Sequence, residues 1–391
     1  MTAIEPGQGP HMARSIESVA LAEAGPSEER RTLTDPLVQA LWQSGLMQFM
    51  NPREAGGSEP GFAELIETWI EMARQDGSLG WIGIANIPSS CFAAAYLSDE
   101  GFEEVFTAHG NRVTMAGQFF PNGTGEAVDG GYRVTGAWQF GSGTGHSEYV
   151  CAGFLPMRDG EMVMLDDGMP LMTVAVVPRE EVEFLDGWHV QGLKATGSYD
   201  YELKDVFVPE SRTYPLMTRE PRRGGHMYRF GVMPLTACGH ASWALGVARS
   251  AIDDVVELAR EKTRMGEESS VAHKPTFQRN LAHHEAMWRA AHRLVVDTYT
   301  DMEARIEAGG ELTPAMRTDM RLAANFATEA AREITQFAHL AAGTTAIREG
   351  SRLERAFRDI YTGTQHAFIS EKVYIESGKI LLGLIEDSPA V

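Results

Sequence analysis

Apolar residues recur at helical spacing in two separate parts of the chain. The first part contains Leu37, Leu41 and Leu46, followed by a stripe from Phe62 to Ala73. Spacing of three or four residues places such side chains on one face of an amphipathic helix. Longer stripes return after about residue 221 and predict a helix bundle. Their apolar positions are Ala248, Ile252, Val255 and Ala259, then Trp288, Ala291, Val295 and Met302, then Met316, Met320, Ala323, Ala327, Ala330, Ile334 and Phe337.

Between residues 111 and 212 the pattern changes to short apolar runs separated by glycines, which is typical of β-strands. The runs cover residues 132–134, 148–152, 171–177 and 205–208. An Asp129-Gly130-Gly131 turn leads into the first run, and large residues follow at alternate positions. We therefore expect one buried face on this strand. Its large residues are Tyr132, Val134, Trp138 and Phe140.

Helices, then strands, then helices indicate an α+β fold of three consecutive domains. We expect an N-terminal helical domain over residues 26–110, a central β domain over 111–220 and a C-terminal helix bundle over 221–391. Residues 1–25 are rich in Gly, Pro, Ser and Glu, and we expect them to be disordered. Within the bundle, Thr313 before Pro314 predicts an N-cap and a new helix after Gly309 and Gly310.

The charge of the chain argues against a nucleic-acid or anionic-membrane surface. Its 391 residues include 54 acidic and only 34 Lys and Arg side chains, for a formal net charge of -20. Such surfaces need clustered cations. No apolar window approaches the roughly 18 residues of a membrane span. The three cysteines are isolated, which indicates neither a disulfide framework nor a metal site and predicts a cytoplasmic protein.

Several functional motifs are absent from the sequence. The glycines in 141–145 lack the spacing and the strand-to-helix setting of a dinucleotide fingerprint. The His283-His284-Glu285 run lacks the spacing of a zinc protease, so we expect no metal. Neither a hydrolase nucleophile elbow nor a phosphate-cradling loop occurs. Residues that bind a cofactor or catalyse a reaction must therefore be sought in other segments.

Three segments together resemble two-component, reduced-flavin-dependent monooxygenases of the acyl-CoA dehydrogenase superfamily. The resemblance extends over nearly the whole chain, from about residue 33 to residue 383. The segments are 136–143 (Gly-Ala-Trp-Gln-Phe-Gly-Ser-Gly) with His146 after it, 192–198 (Gly-Leu-Lys-Ala-Thr-Gly-Ser) continued by 205–210, and 355–360 (Arg-Ala-Phe-Arg-Asp-Ile) with His366 beyond it.

The resemblance implies the acyl-CoA dehydrogenase-like fold, a homotetramer and flavin sites completed by a neighbouring subunit. In the dehydrogenase branch, a Glu within a Tyr-Glu-Gly-Thr stretch removes the substrate α-proton. This chain has Thr362 in that place, between Tyr361 and Gly363. The oxygenase branch is therefore favoured. Some dehydrogenases carry their base elsewhere, so acyl-CoA dehydrogenase stays an alternative, as does a non-catalytic flavin-binding relative.

The function implied is that of an oxygenase component that hydroxylates a small aromatic or heteroatom-containing substrate. It would use O2 and reduced FAD or FMN, with FAD preferred, through a flavin hydroperoxide that requires a water-poor site. The reduced flavin would come from a separate reductase. The substrate itself is not identified by the sequence.

The resemblance also supplies candidate site residues. His366 and Ser142 are the catalytic candidates, with His366 acting as a base or orienting the substrate. Turn chemistry for Ser142, core packing for Trp138, a helix cap for 343–344 and a structural role for His366 are the ordinary alternatives. We expect Arg358 and Asp359 to make structural hydrogen bonds or ion pairs and His146 to satisfy a buried backbone group. The cofactor-binding candidates are Gln118, Trp138, Ser142, Thr196, Gly197, Ser198, Arg264, Phe277, Gly343 and Thr344.

Overall fold

The computed structural model describes residues 6–185, 187–388 and 390–391. The chain divides into two compact units, each built from segments that are separate in the sequence. We call them the sheet unit and the bundle unit. The sheet unit consists of Met1–Pro60, Ile82–His189 and Lys194–Met233, and the bundle unit of Gly61–Trp81, Val190–Leu193 and Pro234–Val391.

The helices of the sheet unit precede its strands. They are α1 (Gly9–Ser15), α2 (Glu17–Arg30), α3 (Asp35–Ser44), α5 (Gly77–Tyr96, from residue 82 onward) and α6 (Asp99–Val105). Ser98 caps α6, because its hydroxyl accepts the backbone N–H of Gly101 at 3.1 Å.

The N-terminal segment differs from the sequence-based expectation. Residues 9–15 and 17–30 form α1 and α2, although the composition favoured disorder over the first 25 residues. The physical reason is a run of apolar side chains at helical spacing, which α1 and α2 bury. Residues 1–5 lie outside the described residues. The buried side chains are Met12, Ala13, Ile16, Ala20 and Ala24.

An eight-stranded sheet forms the centre of the sheet unit. The strand order is β6-β7-β2-β1-β3-β5-β8, and β4 pairs with β3. The β1–β3 pair is parallel, and the other pairs are antiparallel. The strands are β1 (Met115–Val128), β2 (Gly131–Gly141), β3 (Tyr149–Arg158), β4 (Glu161–Met162), β5 (Thr173–Pro178), β6 (Glu183–Leu185), β7 (Tyr199–Pro209) and β8 (Thr213–Pro215).

The predicted turn before β2 is confirmed, and it joins β1 and β2 in a hairpin. Val128 pairs with Gly131, and Gly130 adopts a φ of 76° in the two-residue turn. The predicted alternation holds for Val134 and Trp138, which are buried. It is wrong for Phe140, which is 61% exposed because the register against β7 shifts between Trp138 and Gly141.

The bundle unit contains long helices. Thr313 caps α9 as predicted, since its hydroxyl accepts the N–H of Met316 at 3.3 Å. Among the described residues, no helix is both long and apolar enough to span a bilayer. The order of helices, strands and helices is thus confirmed, whereas the three domain boundaries stay a prediction. The helices are α4 (Phe62–Gln75), α7 (Val232–Glu261, from residue 234 onward), α8 (Pro275–Glu307), α9 (Pro314–Ala342), α10 (Arg352–Gly363) and α11 (Glu371–Leu381).

Candidate active site

Three hydroxyl groups form a chain of hydrogen bonds in the sheet unit. The Oγ atoms of Ser142 and Ser198 are 2.7 Å apart, and Ser198 Oγ lies 2.6 Å from Thr196 Oγ1. We call these three residues the hydroxyl chain. Ser142 follows β2, and the other two precede β7, so the pairing of these strands brings them together.

Only one end of the hydroxyl chain is accessible. Thr196 is fully buried, Ser198 is 1% exposed and Ser142 is half-buried. Ser142 is therefore the member of the hydroxyl chain that a ligand can reach, and a hydroxyl group can donate to an acceptor atom. Hydrogen bonds oriented in one direction polarise one another and strengthen the terminal donor. The arrangement therefore suits a ligand with an acceptor atom.

The loop that carries Thr196 and Ser198 depends on Gly197. This glycine has a φ of 53°, and a Cβ atom there would lie 2.6 Å from the Thr32 Oγ1 atom. Its N–H donates to the Arg31 carbonyl at 3.0 Å. The Gly143 N–H also donates to the Thr196 carbonyl at 2.8 Å, which joins the two loops. Gly197 thus positions the hydroxyl chain by packing.

Trp138 belongs to the core of the sheet. Its ring is 1% exposed, stacks on Tyr201 at 5.5 Å and donates its indole N–H to the Gly153 carbonyl at 2.8 Å. Little of its surface is left for a cofactor, so the flavin packing expected of Trp138 does not fit its position. Phe140, two residues before Ser142, has the exposed ring instead. Its φ of 63° lies in the left-handed region, which the pattern of residues did not predict.

Gln118 lies on β1 at the point where the register against β3 shifts. Its backbone N–H donates to the Tyr201 hydroxyl at 2.8 Å, and its side-chain Oε1 accepts the N–H of Phe120 at 3.1 Å. The side-chain oxygen is therefore engaged locally, and the amide nitrogen is the atom suited to a cofactor contact.

Aromatic rings surround His366 in the bundle unit. The His240 ring lies 4.3 Å away between centroids, and the Phe368 ring is nearly parallel at 5.4 Å. The Trp81 ring is 5.9 Å from His366 and 5.1 Å from His240. These four residues are the His366 cluster. His240, on α7, was missed by sequence reasoning, because nothing in its own segment indicates that the fold brings it beside His366.

The environment keeps both histidines of this cluster neutral. Burial, followed by the charge of Arg321, lowers the pKa of His366 to about 4. Burial, followed by His366 and Arg321, lowers the pKa of His240 well below its ordinary value. The Arg321 guanidinium lies 5.2 Å over the Phe368 ring and donates to the Phe368 carbonyl at 2.8 Å. A further positive charge is therefore disfavoured here.

The helix before His366 is held by the predicted structural contacts. Asp359 is fully buried, and its Oδ1 accepts the Leu193 N–H at 2.6 Å. Arg358 pairs with Glu354 and donates to the Gln191 carbonyl at 2.9 Å. These contacts confirm the structural role expected of Arg358 and Asp359.

Four cofactor candidates lie around α8 and α9 of the bundle unit. Arg264 is exposed and donates to the Ala341 carbonyl at 3.1 Å. Ala341 is close in sequence to Gly343 and Thr344, which are also exposed. Phe277 is 8% exposed and lies 6.0 Å from the Phe337 ring, so it is mainly a packing residue.

Lys262 was not anticipated at this end of α9. It donates to the Ala342 carbonyl and to Thr345 Oγ1, both at 2.6 Å. Its ammonium stabilises the negative end of the helix dipole.

His146 differs from the expectation. Both of its ring nitrogens are buried, and neither has a hydrogen-bond partner among the described residues. Its hydrogen bonds are made by the backbone instead, because the carbonyl accepts the Thr114 hydroxyl at 3.3 Å and the N–H donates to the Gly143 carbonyl at 3.2 Å. The expectation that its side chain satisfies a buried backbone group is therefore wrong.

The residues of the sheet unit fit a flavin. A flavin ring presents polar atoms along one edge and a flat apolar face. Ser142 offers a hydroxyl donor at the accessible end of the hydroxyl chain, and Phe140 offers an exposed aromatic ring beside it. When bound, a reduced flavin would supply the oxygen-activating chemistry.

Comparisons with known proteins support this interpretation. The sequence profile described as acyl-CoA dehydrogenase, C-terminal domain, matches residues 238–371. The chain is 30% identical to indole-3-acetate monooxygenase of Acinetobacter baumannii, over 92% of this chain and 90% of that protein. This chain belongs to the flavin-dependent monooxygenases of the acyl-CoA dehydrogenase superfamily.

Further members of this monooxygenase family agree with that assignment. The oxygenase component of an FADH(2)-dependent resorcinol hydroxylase from Rhizobium sp. is 28% identical, covering 93% of this chain and 91% of that protein. The crystal structure of 3-HSA hydroxylase from Rhodococcus sp. RHA1 superposes with a TM-score of 0.89 at 25% identity, covering 97% of this chain and 98% of that chain. The chain is thus an enzyme, the oxygenase component of a two-component flavin-dependent monooxygenase. A separate flavin reductase is implied.

Proposed function

We propose that this monooxygenase hydroxylates a small aromatic substrate, using O2 and reduced flavin. The relatives named for indole-3-acetate and resorcinol support an aromatic substrate. The FADH(2)-dependent relative supports FAD over FMN.

The observation that carries this proposal is the chemistry of residues 361–366. Thr362 occupies the position at which related dehydrogenases have their carboxylate base, and its hydroxyl donates to the Arg358 carbonyl at 2.8 Å. A hydroxyl bonded to its own helix cannot remove an α-proton from an acyl thioester. His366 follows, half-buried, neutral and enclosed by aromatic rings, which suits contact with an uncharged aromatic molecule. Substrate contact is its proposed role.

Ser142 is the proposed flavin contact in the sheet unit. Its hydroxyl would donate to the flavin ring, with Ser198, Thr196 and Gly197 fixing its direction. Phe140 would cover part of the ring. In the bundle unit, Arg264, Gly343 and Thr344 are exposed and offer a guanidinium, a backbone N–H and a hydroxyl suited to flavin phosphate.

We further propose a cytoplasmic homotetramer. Large apolar side chains exposed on α9, on α11 and near their ends support burial against other copies of the chain. These side chains are Phe326, Leu340, Ile347, Ile375, Leu381, Leu382 and Leu384. Light scattering coupled to gel filtration should give four times the chain mass, and a monomer would contradict this proposal.

The function is tested by supplying flavin that was reduced in a separate reaction. Purified protein is mixed anaerobically with reduced FAD or FMN and indole-3-acetate or resorcinol, then exposed to O2. We expect a hydroxylated product and less H2O2 than with free flavin. Acyl thioesters with an electron-acceptor dye test the dehydrogenase alternative. Flavin reoxidation at the rate of free flavin, with no product from any probe, would contradict the proposal.

The Ser142→Ala variant tests the flavin contact. Loss of one neutral hydrogen bond costs about 0.5–1.5 kcal/mol of binding free energy, so the affinity for reduced flavin should fall by roughly threefold to tenfold. Anaerobic titration of flavin fluorescence measures this affinity. Ser18→Ala, at an exposed position of α2, is the matched control and should leave affinity unchanged. Equal affinities for wild type and Ser142→Ala would remove Ser142 from the flavin site.

A further inference from the structure

The two ring nitrogens of His366 have different environments. Nδ1 accepts the backbone N–H of Phe368 at 3.3 Å. A backbone amide N–H can only donate, so Nδ1 must present a lone pair. Nε2 has no hydrogen-bond partner among the described residues, although the side chain is only half-buried. Nε2 is therefore the atom available to a ligand.

The position of the single ring proton follows from this arrangement. A neutral imidazole carries one N–H, and the nitrogen that accepts a hydrogen bond cannot carry it. Because Nδ1 is the acceptor, the proton belongs on Nε2. The low pKa of His366 supports the neutral form throughout the physiological range. Arg321 on α9 is the charged group that lowers the pKa of His366, and the titratable neighbour on α7 is His240, whose own pKa is lowered in part by His366.

Packing fixes the direction of the Nε2–H bond. The His366 ring is stacked within 10° of the Phe368 plane, and the Trp81 ring meets it edge-on at 64°. The His240 ring is tilted by 40° on a further side. These ring contacts fix the plane of the imidazole, and the bond from the Phe368 N–H selects the orientation within that plane, because a half-turn of the ring would replace Nδ1 by a carbon atom and break this bond.

We propose that His366 acts as a hydrogen-bond donor through Nε2–H, and that the enzyme selects substrates that present an acceptor oxygen to this atom. A phenolic oxygen meets this requirement, whereas an indole N–H does not. No proton passes to His366 during the reaction. The inference rests on the proposed hydroxylation and specifies which substrate group His366 recognises.

A general-base role makes the opposite demand. A base needs a lone pair on the atom that faces the substrate, so the ring proton would have to move to Nδ1. The Phe368 N–H would then point at another N–H and lose its acceptor. The donor role leaves this local structure intact.

Two substitutions separate the roles. A glutamine amide can place an N–H where Nε2 stands but cannot act as a base, whereas asparagine reaches only the Nδ1 position. With resorcinol as the probe, we measure product formed per reduced flavin consumed. If His366 is a donor, His366→Gln should retain at least about a third of the wild-type product yield per reduced flavin. In His366→Asn this yield should fall about tenfold, as expected for the loss of one hydrogen bond. His283→Gln, on the exposed surface of α8, is the matched control.

The base role gives a different pattern. Loss of general-base catalysis lowers rates by about 100-fold or more, and this loss should affect His366→Gln and His366→Asn alike. That outcome would overturn the proposal. Flavin affinity should be the same in both variants. A parallel loss of flavin affinity would indicate a structural role and would also overturn it.

A measurement of the His366 tautomer distinguishes the donor role from the base role without an activity assay. Nitrogen-15 spectra of histidine-labelled wild type and His366→Gln identify the His366 signals by difference at neutral pH. A protonated Nε2 with an unprotonated Nδ1 supports the donor role, and either the other tautomer or a doubly protonated ring refutes it. If wild type forms no product with any probe, the proposed function fails, and the spectra still decide the state of His366.

Discussion

Replacement of His146 by leucine should make the protein less sensitive to acid. Burial, followed by the charges of Arg179 and Arg30, lowers the pKa of His146 to about 4. Its ring nitrogens have no hydrogen-bond partner among the described residues, so leucine removes no such bond from the side chain. At pH 7.5 the free energy of unfolding should therefore stay equal or rise slightly.

The acid effect follows from the two pKa values of His146. The group titrates near 6.5 when unfolded and near 4 in the folded protein. Between these values the unfolded chain binds more protons, so the free energy of unfolding falls as the pH decreases from about 7 to about 4. By this linkage His146 lowers stability by about 2 kcal/mol between pH 7.5 and pH 5, and His146→Leu should abolish that contribution.

Urea unfolding at pH 7.5 and pH 5 measures the difference. The stability lost between the two conditions should be about 2 kcal/mol smaller in His146→Leu than in wild type. His283→Leu, at an exposed position, controls for loss of a histidine. If wild type and His146→Leu lose the same stability on acidification, His146 is not held neutral by burial and the reasoning is refuted.

Substitutions at two further positions test the fold. Trp138→Phe keeps an aromatic ring but leaves the buried Gly153 carbonyl without its donor, so urea unfolding should show a loss of about 1–3 kcal/mol. An unchanged midpoint would contradict the role of the indole N–H. Thr313→Ala removes the cap of α9 and should cost about 1 kcal/mol, whereas Thr313→Ser should retain most of it. Equal stability of these two variants would argue against capping.

Local signals account for the parts of the fold that the sequence predicts well. The Asp129-Gly130 turn, the Thr313 cap and the stripe on α9 each depend on neighbours within a few residues. The resemblance to flavin-dependent monooxygenases adds the motif that contains Ser142. The turn, the cap and the stripe are encoded by short segments, and the structure reproduces them, whereas the flavin role of Ser142 stays a proposal.

The remaining features depend on distant contacts. His240 gains its position from packing against Trp81 and against His366 in the segment after α10, which no local pattern reveals. Phe140 breaks the alternation of β2 because of its pairing with β7. Composition concealed the buried stripe of α1 and α2, since Gly, Pro and Ser surround the apolar residues. Trp138, in the flavin motif, is a core residue, because its burial depends on strands that are distant in the sequence.

The ends of the eight-stranded sheet bear on the solubility of newly made chains. Both edge strands, β6 and β8, contain only three residues. On β6, Glu183 forms an ion pair with Lys204 of the adjacent strand, and β8 ends at Pro215, which has no N–H to donate. Short, charged or proline-ended edges offer little template for another chain to extend the sheet. The sheet is thereby protected from edge-to-edge aggregation while chains accumulate at high concentration.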